Sequence, residues 1–249
     1  MIGDEELAEF REGYYRVLAS LFAREPAADF LRSLSEGLAR RIEASINLNP
    51  TLGEGWTEVA SFLSAGADVA ERVADEFTVL FVGPRPALNP YESYYLAGKM
   101  YAEPLSVVRS FLRRAGLTKN PEAPDPEDSV ASEFEVMGRL VERQRQARDP
   151  DGEATGLHVQ AEFLKHHILV WIPRFASDLL QEKHAVFYRG AAKLCLGFLE
   201  IEREVIAPWG PEGVKTYEEA RQAMVRRGEW QGPLFEPPGP PEEGAGSSG

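Results

Sequence analysis

Three side chains able to hold a metal or move a proton recur at helical spacing late in the sequence: His158, Glu162 and His166, at i, i+4 and i+8. That spacing puts two imidazoles and a carboxylate near one helix face, where an ion could bridge successive turns. The Glu-x-x-His spacing of di-iron bundles is missing, however, and three ligands from a single helix rarely converge on one ion. A metal-dependent enzyme is therefore a rival reading; no metal, cofactor or catalytic residue is expected. His167 precedes Trp171 by four residues, so packing on it or bonding a neighbouring helix is its simpler role. Cys195, the single cysteine, lies on an apolar stripe with Leu194 and Phe198 and reads as inert core. It also excludes any intrachain disulfide and suits a reducing compartment. The Gly-x-Gly-x-x-Gly match at Gly244 to Gly249 lacks the strand and helix that a dinucleotide site needs. Phosphate-loop, nucleophile-elbow and His-Glu-x-x-His signatures are absent from the sequence.

The other chemically suggestive stretch is Pro90-Tyr91-Glu92-Ser93-Tyr94-Tyr95, three tyrosines directly behind a proline-rich loop. Aromatic rings with a polar tip present area at low entropy cost and suit peptide binding. Packing of Tyr94 and Tyr95 onto the core is an equally good reading. Charge narrows the partner: 40 Asp and Glu against 27 Lys and Arg give a net charge of −13, which repels phosphate backbones and anionic lipid and favours a basic peptide. No nucleic acid and no membrane insertion are expected. The acidic N-terminus lacks the pattern of an export signal, and no apolar run approaches the ~20 residues of a membrane helix, so a soluble, cytoplasmic protein is expected.

The elements that must position these residues are helical. In 249 residues, 43% apolar, three- and four-residue periodicity recurs while strand alternation does not, which predicts an all-α, single-domain multi-helix bundle. After Asp4, the stripe Leu7, Phe10, Tyr14, Val17, Leu18, Leu21 and Phe22 marks a first helix. Further helices are expected over about 27–45, 56–63 and 69–81, then around 104–117, from Asp128 to about 149, over 158–180 with an interruption at Pro173, from 187 to before Pro208, and over 217–227. The prolines at 84, 86 and 90, and at 121, 124 and 126, make rigid loops. Beyond Gly228 the chain turns acidic and rich in proline and glycine, so the expected division is a helical domain 1–228 and a disordered tail 229–249 in which Trp230, Leu234 and Phe235 could dock locally.

Three segments together resemble the TorD/DmsD/NarJ family of chaperones for molybdenum-cofactor oxidoreductases. Residues 76–95, EFTVLFVGPRPALNPYESYY, are similar to a family helix ending in Leu-Phe-x-Gly-Pro and followed by Pro-Tyr-Glu-Ser-x-Tyr. Glu127-Asp128-Ser129 leading into Glu133-Phe134-Glu135-Val136-Met137 resembles the family's Pro-Asp-His and Glu-Leu-Glu-Phe-Met, with Glu127 for the proline and Ser129 for the histidine. Phe163, His167, Trp171, Pro173 and Phe175 match a Phe-x-x-x-His-x-x-x-Trp-x-Pro-x-Phe pattern.

The resemblance implies a non-enzymatic maturation chaperone. Its partners would be the apo form of a molybdoenzyme catalytic subunit and that subunit's twin-arginine signal peptide, held until the cofactor is inserted so that export is not premature. It implicates Pro90, Tyr91, Glu92, Ser93, Asp128 and Ser129 in peptide binding. Chemically, paired arginines followed by an apolar stretch need carboxylates beside an aromatic groove. Glu92, Asp128, Glu133 and Glu135 are the candidate charges, Tyr91, Tyr94 and Tyr95 the candidate wall, and His167 joins them through its motif. Continuing the helical wheel back to Asp128 puts Asp128, Ser132 and Glu135 on an outward face, opposite Val130, Phe134 and Met137. The binding-module rival is a generic helical adaptor indifferent to paired arginines. Long helices joined by proline hinges allow a monomer or a domain-swapped dimer.

Overall fold

A computed structural model describes residues 4–66, 68–147, 150–213 and 215–228. Among the described residues there is no strand; backbone pairing outside helices includes one isolated antiparallel bridge, Tyr91 with Ser129. The helices are α1 (Asp4–Ala23), α2 (Ala28–Ser35), α3 (Leu38–Leu48), α4 (Pro50–Leu63), α5 (Val69–Phe77), α6 (Glu92–Ala97), α7 (Glu103–Arg114), α8 (Val130–Gln146), α9 (Pro150–Phe163), α10 (Leu169–Gln181), α11 (Phe187–Val205) and α12 (Tyr217–Arg226). Two turns of π-helix extend this scheme, Thr78–Val82 after α5 and Leu164–Ile168 joining α9 to α10. No helix among the described residues is long and apolar enough to cross a membrane.

One hydrophobic core runs from Ala8 to Met224. Its middle is the pairing of α1 with α8 and of α4 with α11. The second pair approaches unusually closely because glycines face it. A Cβ on Gly197 would lie 2.5 Å from the Leu52 backbone nitrogen, and one on Gly55 2.7 Å from that of Leu194, separations that no real side chain tolerates. Across the centre, Arg11 is 1% exposed and donates to Glu202 (2.6 and 3.0 Å) and Gln160 (2.7 Å), while Tyr15 donates to the same Glu202 at 2.6 Å. This shared ion pair ties α1, α9 and α11 together with its charges and hydrogen bonds satisfied.

Several boundaries differ from the sequence expectation, each for a local reason. The helix expected over 27–45 is two, broken where Gly37 takes a left-handed φ of 74°. The helix expected from Trp56 starts at Pro50, where the Asn49 side chain accepts from Leu52 N at 3.1 Å and proline fills the first turn. Glu92–Ala97 is a short helix, in a stretch to which the periodicity assigned no element. Helix also extends back to Pro150, earlier than the expected start at His158. The interruption expected at Pro173 lies upstream: α10 runs through Pro173, and the departure from α geometry is the π turn ending at Ile168. Leu169, whose carbonyl a proline at 173 would crowd, directly follows that looser turn. The tail 229–249, with its glycine-rich match, lies outside the described residues.

Candidate functional site

The proline loop after the first π turn is stitched back onto it, Ala87 N donating to Val79 O (3.2 Å) and Leu88 N to Leu80 O (2.9 Å). It delivers Pro90 and Tyr91 in extended form alongside Asp128 and Ser129, with Glu92 N donating to Asp128 O (2.8 Å) and Val130 N to Pro90 O (3.0 Å). Two helices thus start side by side. Ser129 caps α8, its Oγ accepting from Ser132 N at 3.1 Å. Asp128 caps α6, its Oδ2 accepting from Ser93 N at 3.0 Å and from the Ser93 hydroxyl.

The outward acidic face expected of Asp128 is therefore corrected. Asp128 sits in the turn before the Ser129 cap, so the helical wheel does not extend to it, and it is 1% exposed. Glu92 (3%) and Glu133 (0%) are buried as well; of the four candidate carboxylates only Glu135 faces solvent, beside Arg139 at 3.8 Å. Tyr95 belongs to the core: its ring packs on Trp171 (centroids 5.4 Å apart) and its hydroxyl donates to Asp178 at 3.2 Å. Tyr94 is half-buried against the core. Tyr91 is also half-buried; its hydroxyl donates to Asp125 at 3.3 Å, and burial followed by the Asp125 charge pushes its phenol up to about 12.

Behind this face lies a buried polar chain. His167 Nδ1 pairs with Glu92 Oε2 at 3.0 Å, and its ring packs on Phe163 (4.9 Å). Trp171 Nε1 donates to both Glu133 oxygens, at 3.2 and 3.0 Å. Burial, then the neighbouring Glu92 charge, pushes Glu133 well above the usual carboxylate range, and its hydrogen bond with Glu92 acts in the same direction. The neutral form of Glu133 is thereby favoured, and in that form its hydroxyl donates toward Glu92. Asp128 is raised too, first by burial, against the bonds from Ser93, and its Oδ1 is buried without a partner. The structure brings Glu92, Ser93, Asp128, Glu133 and His167 into one cluster, places Pro90, Tyr91 and Ser129 on its rim, and leaves Glu135 apart.

On the opposite side Glu92 and His167 form the base of a cleft of about 430 Å³, walled by Val107, Val170 and Met224. Lys165, His166 and His167 all line it. They belong to the second π turn, for which side-chain periodicity carries no signal. The metal reading is corrected: His158 Nδ1 contacts the Trp209 carbonyl and Glu162 pairs with Arg114 at 2.7 Å. Among the described residues no group of three or more His, Cys, Asp or Glu is placed to hold a metal.

Comparison with known proteins agrees with this architecture. The family model described as nitrate reductase delta subunit matches residues 46–177. The chain is 26% identical over 207 residues to a protein named chaperone protein TorD from Aliivibrio salmonicida (strain LFI1238), covering 80% of this chain and 95% of that one. It is 26% identical over 210 residues to the protein of the same name from Vibrio cholerae serotype O1 (strain ATCC 39315 / El Tor Inaba N16961), covering 80% and 93%. The corresponding protein of Actinobacillus pleuropneumoniae serotype 7 (strain AP76) is 26% identical over 190 residues, 75% of this chain and 90% of the relative. All three carry the name of a chaperone.

Proposed function

This chain belongs to the nitrate reductase delta subunit family, and from that premise we propose that it is a cytoplasmic chaperone, not an enzyme, for a molybdenum-cofactor oxidoreductase subunit. It binds the twin-arginine signal peptide and the apo form of that subunit, residues 1–228 forming the chaperone domain, and so delays export until the cofactor is in place. The observation that carries this reading is the Tyr91–Asp125 pair on a backbone clamped by the Tyr91–Ser129 bridge. A guanidinium finds there an aromatic face and a carboxylate acceptor on a rigid base. The buried acids hold that base rather than touching the peptide. Net charge −13 steers a cationic peptide toward it. No covalent step is needed; tighter binding of the cofactor-free client than of the finished one is enough to time release.

Calorimetric titration of the full chain with such a peptide, at low and moderate salt, tests the proposal. Saturable binding that weakens with salt and drops when Arg-Arg becomes Lys-Lys is expected. Equal binding of both peptides would favour a generic adaptor instead.

A further inference from the structure

The cleft on the far side of the Glu92–His167 pair lies between α7, the second π turn, Glu212, Gly213, Lys215 and α12. Its wall is apolar, and Val107 is 46% exposed within it. Its lining sets Lys165, Lys215 and Arg227 against the carboxylates of Glu92, Glu103, Glu212 and Glu219. Lys165 is 7% exposed and its ammonium donates to the Pro211 carbonyl; neither it nor Lys215 has a carboxylate at ion-pair distance among the described residues. His166 stands beside Lys215, and burial, then His167 and Lys215, hold its imidazole below its ordinary value. Of the carboxylates lining the rim, Glu103 pairs with Arg227 at 2.8 Å and Glu219 is turned back into the capping box of α12 with Thr216, which leaves Glu212. A buried ammonium held by a carbonyl alone, above an apolar wall, suits a ligand carrying both carboxylates and large apolar side chains.

Such a segment begins at the rim. Arg227 lines the cleft, and Gly228 follows in the left-handed conformation, φ 74°, that ends a helix and turns the chain away from its axis. The next eight residues, Glu229-Trp230-Gln231-Gly232-Pro233-Leu234-Phe235-Glu236, hold three large apolar side chains bracketed by carboxylates and no cation. Extended, they reach up to about 26 Å. We propose that Glu229 to Glu236 occupies this cleft in cis, with Trp230, Leu234 and Phe235 on the apolar wall and the glutamates toward Lys165 and Lys215. This stands independently of the signal-peptide reading.

Disulfide trapping in the full chain tests it. Val107→Cys with Leu234→Cys is compared with Ile46→Cys and Leu234→Cys; Ile46 is 52% exposed on α3. Cys195 is fully buried and does not compete. The 107–234 bond is expected to close within one chain at least about tenfold faster than 46–234, and Lys215→Glu is expected to slow that closure without changing the control. Equal rates, or insensitivity to Lys215→Glu, overturn the proposal. Disulfide-linked dimers that vanish on dilution also overturn it, assigning the cleft to a second copy of the chain.

Discussion

Glu133 offers the sharpest test of the buried polar chain. If it is held as the neutral acid, Glu133→Gln preserves both its contacts, the amide oxygen accepting from Trp171 Nε1 and the amide nitrogen donating to Glu92. A carboxyl whose folded-state pKa is raised contributes its full stability below the unfolded value, about 4.3, and loses it as pH rises through the folded one. Wild type should therefore lose stability relative to Glu133→Gln between about pH 5.5 and about pH 8. Glu133→Ala differs. It leaves the Trp171 N–H buried without a partner, at a cost of about 1–3 kcal/mol, and opens a cavity at a site that is 0% exposed. Together these come to roughly 3 kcal/mol, or ~6–12 °C in Tm for a chain of this size. Urea unfolding followed by tryptophan fluorescence at the two pH values measures both effects. The reasoning is refuted if glutamine costs as much as alanine, or if wild type gains on the glutamine variant as pH rises, since either result means that Glu133 is ionised.

Tyr91→Ala should weaken a twin-arginine peptide by about 1 kcal/mol, roughly fivefold, with an unchanged circular dichroism spectrum because Tyr91 is only half-buried. Asp128→Ala, by contrast, should lower Tm, since the carboxylate that caps α6 is 1% exposed. Gly197→Ala should destabilise by at least about 1–3 kcal/mol in chemical denaturation, whereas Gly13→Ala, with nothing within 4 Å of an added Cβ, should be neutral or stabilising by up to ~1 kcal/mol. Cys195, fully buried with its thiol pushed up by burial, should resist a thiol reagent in the native protein and react at once in denaturant.

Apolar stripes made the helices legible in the sequence because their signal is local and repeated: Leu18, Leu21, Phe134 and Met137 all lie in the core as their spacing requires. Misplacements arose where one residue changes the phase. Gly37 split a helix whose stripe continues on both sides. Asp128 was put on a helical face although Ser129, the cap, already marks the start of α8; Ser followed by an apolar residue was the available signal. The motif residues 90–95, 128–133 and 167–171 do converge, yet which of them would be solvated was not readable. That depends on partners 35 to 75 positions away, Ser93 with Asp128 and Glu92 with His167. The cleft lysines were missed because Lys165 and Lys215 stand far apart in the sequence and reach one cleft only through the fold.

That π turn acts in the rod formed by α9 and α10 as a dislocation does in a crystal: order is good on both sides, but the two lattices are offset. Straightening Leu164–Ile168 into regular α-helix without removing a residue would leave the composition of both halves intact. It would also rotate one half against the other by about 100°. Gln160 would swing away from Arg11 and His158 from Trp209 if His167 stayed on Glu92, or the reverse. The π turn is what lets one continuous helix satisfy the molecule's central ion pair at one end and its buried acid chain at the other.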